Sequence, residues 1–260
     1  MQQLYEYIIF AQIIINSNNN DTMTKKLILF SFLLPMTLMA QNVQMHYDFG
    51  KGREYVTTTL EMFKPDKWGN TFFFVDYDYS LGSKKQVSLS YMEIARCISF
   101  GKNSPLSAHV EFNGGLGALS NGAAYTINNA YLAGLDYGWH DKSFTKFLNF
   151  KVLYKNIIGK TNASFQLTGV WNLNFYKNKL TLSGFADFWR EDNTNFYNAK
   201  NVFLGVGNET HTKYVFITEP QFWYNVTPHL SLGSEIEIAS NFATVNGLKV
   251  CPTLAAKWNF

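Results

Sequence analysis

Carboxylates in this chain recur at every second position of short alternating segments, with apolar residues between them. Within TLEMFKPDKWGNTFFFVDYD (59–78), Glu61 stands among Thr57 and Thr59, opposite Leu60 and Met62, while Asp76 and Asp78 share a side with Phe72 and Phe74. Extending the same parity along the chain gathers Asp48, Glu61, Asp76, Asp78, Glu93, Glu111, Asp136, Asp187, Glu235 and Glu237 onto one face, with Lys151, Lys155 and Lys257 as the matching bases. Tyr55, Phe63, Phe72, Phe74, Phe185 and Trp189 fall on that face too. Flat rings beside carboxylates can stack a planar base and accept hydrogen bonds from sugar hydroxyls. A surface so rich in acids repels phosphates and other anions.

Other chemistries find less support. A hydrolase needs a nucleophile, base and orienting group within reach of one another, and only His211 with Glu209, near Asp192, clusters in that sense, inside a polar loop; no catalytic residue is assigned. Cys97 and Cys251 with five scattered histidines show no metal-ligand spacing, and no cofactor is implied. The two cysteines fall near opposite ends of non-adjacent segments, so no bridge between them is expected. Net charge is +3 and no basic run exceeds two residues, which argues against nucleic acid as a partner.

The elements that must carry this face are strands. Period-two alternation runs from Val43 to the C-terminus in twelve segments: 43–49, 55–64, 71–80, 86–99, 105–113, 125–139, 146–155, 163–173, 179–190, 213–226, 230–240 and 248–260. Aromatics make up 17% and charged residues 16%, yet mean hydropathy is only −0.13, as expected when lipid-facing and lumen-facing residues alternate. The fold predicted is all-β: a transmembrane, antiparallel, up-and-down β-barrel of about twelve strands in the outer membrane of a Gram-negative cell, with lipid around it and the acidic face lining its lumen. Short connections at 65–70, 100–104, 140–145, 174–178 and 227–229 then lie in the periplasm, and the longer 114–124 and 191–212 lie outside. Glu93 and Arg96 fall on opposite parities of the fourth segment, which a bulge or a watery position for Arg96 would accommodate. Tyr77, Tyr79, Tyr137, Trp139, Trp171, Phe175, Trp258 and Phe260 are expected in the interfacial girdles.

Leu27 to Ala40 is an apolar run behind Lys25 and Lys26 that ends on a small residue, too short to span a bilayer and shaped as a secretory signal. The expected organisation is an upstream extension at 1–22 from a mis-assigned start codon, a signal peptide at 23–40 opening on Met23, and the barrel at 41–260. An unusually long n-region is the alternative for 1–22. The last strand alternates Val250, Pro252, Leu254, Ala256, Trp258 and Phe260, which resembles the C-terminal signal that outer-membrane barrels present to their assembly machinery.

The stretch 59–78, with Tyr91-Met92-Glu93-Ile94 and a strand end at Ser99-Phe100, resembles the nucleoside-specific channel-forming outer-membrane porin (Tsx-like) family over about a third of the barrel, plus the closing strand. The resemblance implies a twelve-stranded barrel that passes nucleosides, with Glu61, Trp68, Asp76 and Glu93 as motif positions; Arg96 stands one residue from the arginine that family would place in the fourth strand. The expected function is passive uptake of nucleosides or similar small neutral solutes, past a lining of Glu61, Phe72, Phe74, Asp76, Asp78, Glu93, Glu111, Asp187, Trp189 and Glu235. The alternatives are a closed barrel acting as a surface receptor, adhesin or structural protein, and an outer-membrane hydrolase. Oligomeric state is left open.

Overall fold

The computed structural model describes residues 40–260 apart from 84 and 103. The expected extension and all but the last residue of the expected signal lie outside the described residues. The strands are β1 (Ala40–Asp48), β2 (Val56–Asp66), β3 (Gly69–Tyr79), β4 (Leu89–Ser99), β5 (Leu106–Ala118), β6 (Ala124–His140), β7 (Lys146–Ile157), β8 (Ser164–Phe175), β9 (Leu180–Asn195), β10 (Tyr197–Asn198), β11 (Thr210–Thr218), β12 (Gln221–Asn225), β13 (Leu230–Ser240), β14 (Val245–Asn246) and β15 (Leu248–Asn259).

Each long strand pairs antiparallel with its neighbour, and β1 pairs with β15 from Asn42↔Asn259 to Asp48↔Thr253, which closes the sheet into a barrel. β11 and β12 are two halves of one crossing, both paired with β9 and β13, so the barrel has twelve crossings. The sequence reads 213–226 as one strand. The structure interrupts it at Glu219 and Pro220, because proline has no N–H to give to a ladder. Gly184 faces the interruption at a φ of 143°, where a Cβ would come within 2.4 Å of the Glu219 carbonyl oxygen. β10 and β14 form a two-residue parallel bridge between two outer loops.

Among the described residues no helix is long and apolar enough to cross a membrane; the chain crosses with strands, whose closure leaves no unpaired edge in lipid. Outward positions carry the apolar belt: Val43, Met45, Leu60, Ile94, Val110, Leu135, Phe150, Val152, Phe222, Leu232 and Leu254 are all exposed. Tyr77, Tyr137, Trp139, Phe175, Trp258 and Phe260 are exposed on the outside as well.

Both ends of the barrel chain lie on one side, where the Phe260 N–H donates to the Gln41 carbonyl. That side holds the short turns 67–68, 100–105, 141–145, 176–179 and 226–229, and is the periplasmic one. The other side holds 49–55, 80–88, 119–123, 158–163, 196–209 and 241–247. Two outer loops are shorter than the sequence suggests. Most of 114–124 is ladder, since β5 runs to Ala118 around a register shift between Asn113 and Gly115, and 191–212 is narrowed by the extension of β9 to Asn195. Arg96 points outward at the periplasmic rim, where its Nη1 lies 2.6 Å from Asp66, so no bulge is needed.

Candidate functional site

The parity of each strand sends the acids inward, and the register decides which of them meet. Across β2, β3 and β4 the inward side chains form a checkerboard of three rows. One row is Glu61, Phe74 and Glu93; the next toward the outside is Thr59, Asp76 and Tyr91; the next toward the periplasm is Phe63, Phe72 and Ala95. The rings make a ladder up this wall, with Phe72 and Phe74 centroids 6.1 Å apart and Phe74 and Tyr91 centroids 6.0 Å apart. Each carboxylate beside them has one donor. Asn42 gives a 2.8 Å bond to Glu61, Thr59 a 2.5 Å bond to Asp76, and the Tyr91 hydroxyl a 2.7 Å bond to Glu93. A carboxylate offers about four lone-pair positions, so each retains capacity to accept from a solute. Asp78, one step further out, takes bonds from Tyr55 and Thr57.

The adjoining wall, β1 with β15, β13 and β12, is filled. Along β1 a buried hydrogen-bonded chain runs from Thr253 to His46 (3.2 Å), Gln44 (3.0 Å) and Asn42 (2.9 Å). Gln221 donates to Glu235 at 2.6 Å and accepts from Trp223, whose ring lies 4.1 Å beneath the Lys257 ammonium. Glu235 is therefore tied into this bonded structure, and like Glu61, Phe72, Phe74, Asp76, Tyr91 and Glu93 it is half-buried. The two walls share a polarity but differ in bonding: a continuous hydrogen-bonded chain on β1, single bonds between rings on β2 to β4.

The outer half of the lumen is apolar on its far side. Ala130, Leu132, Leu153, Ile157, Trp189, Val215, Ile217 and Ala239 form one buried cluster, against which Phe185 and Phe242 pack. Trp189 belongs to it and not to an open lining: its indole N–H donates to Glu191, Lys155 sits 4.1 Å over its ring, and Phe242 meets its edge at 6.1 Å. Alternation shows that Trp189 faces inward, but not that the neighbouring inward residues are Leu, Val and Ile. Asp187 lies beneath this cluster, with its Oδ1 buried and, among the described residues, without a hydrogen-bond partner.

Three further features belong to the lumen, and two of them escape a strand-by-strand reading. Arg53, in the 49–55 loop, reaches into the outer mouth to bridge Asp48 and Glu237. Tyr91 shares the parity of Glu93 and was legible on that ground. Cys97, His109 and Asp136, from β4, β5 and β6, converge with Glu111 behind His109, although their spacing in the sequence shows no ligand pattern; only the inter-strand register unites them.

Trp68 sits exposed in the 67–68 turn, away from the ladder. The Cys97 and Cys251 thiols are free and buried. In the outer loops His211 touches Thr194 at 3.4 Å, Glu209 accepts from the Gly207 N–H, and Asp192 accepts from Asn162, so each has its own local partner.

Comparison with solved structures finds barrels of this kind. The NanC porin superposes with a TM-score of 0.52 at 10% identity, over 85% of this chain and 100% of that one. The KdgM porin gives 0.47 at 10%, over 85% and 99%. Omp33 of Acinetobacter baumannii gives 0.40 at 15%, over 86% and 99%. Of these three only the NanC superposition exceeds 0.5, and at that identity it concerns the fold alone. No curated protein matches the chain. Closure, belt and fold together place the protein in the Gram-negative outer membrane. The model of one family, described as Domain of unknown function (DUF5020), matches residues 40–260, and this barrel is therefore a member of that family.

Proposed function

We propose that the protein is a passive outer-membrane channel for nucleosides or similar small neutral solutes. The observation that carries this reading is the half-open wall of β2 to β4, where the Phe72, Phe74 and Tyr91 rings alternate with Glu61, Asp76 and Glu93. Stacking of a base on such rings contributes about 1–3 kcal/mol, and carboxylates with spare lone pairs can accept from ribose hydroxyls. The same carboxylates disfavour anions of equal size. The likeness of the 59–78 stretch to the Tsx-like family supports nucleosides in particular, and the neighbouring NanC structure is a porin by name. Purified protein in liposomes should admit radiolabelled nucleosides faster than anions of the same size; uptake no greater than into empty liposomes overturns the reading.

A second reading rests on the apolar cluster around Trp189 and Phe242, which favours a barrel shut in its outer half, a surface receptor or structural protein. Planar-bilayer recordings separate the two, since a shut barrel gives no conductance steps.

A further inference from the structure

Cys97, His109 and Asp136 stand at the periplasmic floor of the lumen, all three almost wholly buried. Cys97 and His109 are directly opposed on β4 and β5, and Asp136 follows on β6 across from Ser107. The Cys97 Sγ lies 3.2 Å from His109 Nδ1 and 3.4 Å from Asp136 Oδ2, and the latter two atoms are 4.0 Å apart. The far side of the imidazole is held as well, Nε2 lying 2.8 Å from Glu111 Oε2. The other oxygen of Asp136 accepts from Asn149 at 2.8 Å, which turns Oδ2 toward the sulfur.

Proton counting shows that this arrangement is incomplete. A neutral imidazole carries one ring proton and a thiol carries one, yet three close contacts need a proton between their atoms: sulfur to Nδ1, sulfur to Oδ2, and Nε2 to Glu111. With two protons for three contacts, one pair of lone pairs faces each other in a buried place. Either a third proton or a cation must stand there.

The geometry points to a cation: we propose that Cys97, His109 and Asp136 bind a borderline-soft divalent metal ion, zinc being the model, independently of the solute the barrel passes. Zinc bonds of about 2.3 Å to sulfur, about 2.0–2.1 Å to nitrogen and about 2.0–2.2 Å to oxygen, set at tetrahedral angles, space the three donor atoms about 3.4–3.6 Å apart. The present edges of 3.2, 3.4 and 4.0 Å reach that with changes of about 0.2–0.6 Å. Thiolate with imidazole selects zinc over magnesium or calcium. Glu111 on Nε2 makes the carboxylate–histidine–metal relay that orients a ligand imidazole. Loading releases the thiol proton, leaves His109 neutral, and joins three adjacent strands through one ion, with a fourth coordination position left for water. Charge also closes: Cys97 thiolate, Asp136 and Glu111 balance the dication together with Lys151, which stands opposite Asp136 in register.

The test uses the full chain folded into detergent micelles and stripped with a chelator. Cobalt(II) should bind at about one equivalent, with a near-ultraviolet thiolate-to-cobalt absorption that zinc bleaches. Cys97→Ser should abolish that absorption while Cys251→Ser preserves it, and Glu111→Gln should keep it but weaken the metal by about 10–100-fold. Circular dichroism reports whether each variant is folded. No thiolate band in the wild type, or a band that survives Cys97→Ser or disappears with Cys251→Ser, overturns the proposal. Should Cys97→Ser not fold, His109→Gln and Asp136→Asn replace it, and cobalt binding unchanged in both overturns it equally.

Discussion

Arg53 Nη2 lies 2.8 Å from both carboxylate oxygens of Glu237, 184 residues further along the chain, while Nη1 donates to Asp48 at 3.1 Å. One guanidinium from an outer loop thus bridges two lumenal acids, from β1 and β13. Arg53→Gln leaves both without a countercharge, and breaking such a largely buried pair costs about 3 kcal/mol. Urea unfolding in micelles should show that loss, and bilayer recordings a higher preference for cations. An unchanged unfolding midpoint would mean that the bridge contributes no stability.

Glu61 lies level with Phe74 on the aromatic ladder and Asp76 one row further out, each held by a single donor. Replacing both by alanine should weaken nucleoside block of single-channel current by at least about tenfold, the equivalent of one hydrogen bond to a charged acceptor. Block that stays the same removes the two residues from the solute path.

Phe242 covers the outer side of the apolar cluster from the 241–247 loop and packs edge-on to Trp189. Phe242→Ala should raise single-channel conductance and cost about 1–2 kcal/mol, less than the 3–5 kcal/mol typical of a fully buried phenylalanine. Conductance equal to wild type would place the narrowest point elsewhere.

The periplasmic turn 141–145 is organised by one carboxylate. Asp141 accepts from the Lys146 and Thr145 amides and the Thr145 hydroxyl, and the Lys146 amide above all lowers its pKa to about 2. Because the folded value lies below the ordinary aspartate value, the contribution is complete above about pH 4 and disappears as the pH falls through about 2. Amide exchange at Thr145 and Lys146 should accelerate across that window in the wild type, and Asp141→Asn should show no such step. A step that persists in the variant assigns the titration to another group.

Much of the barrel is present in local sequence. The side to which Glu61, Asp76, Glu93, Glu111, Asp187 and Glu235 point follows from a period of two, since successive side chains in an extended chain must alternate. Twelve crossings, the orientation of the turns and the outward belt follow from the same pattern and from where Gly, Asn and Pro interrupt it. The Pro220 interruption was legible in principle, as the missing N–H is a property of the residue itself.

Which inward residues meet was decided by the tertiary structure. Pairing 97 with 109, and placing 136 beside them, requires the inter-strand register, which depends on turn conformation and on closure of β1 against β15. Period-two patterning constrains register only to even shifts, and a shift of two would send Cys97 to a different partner with its parity unchanged. Equally, alternation marked Trp189 and Phe74 alike as inward aromatics. One is sealed among Leu132, Leu153 and Val215 and the other stays half-open between two carboxylates, because packing density in a closed cylinder is set by the whole circumference and not by any one strand.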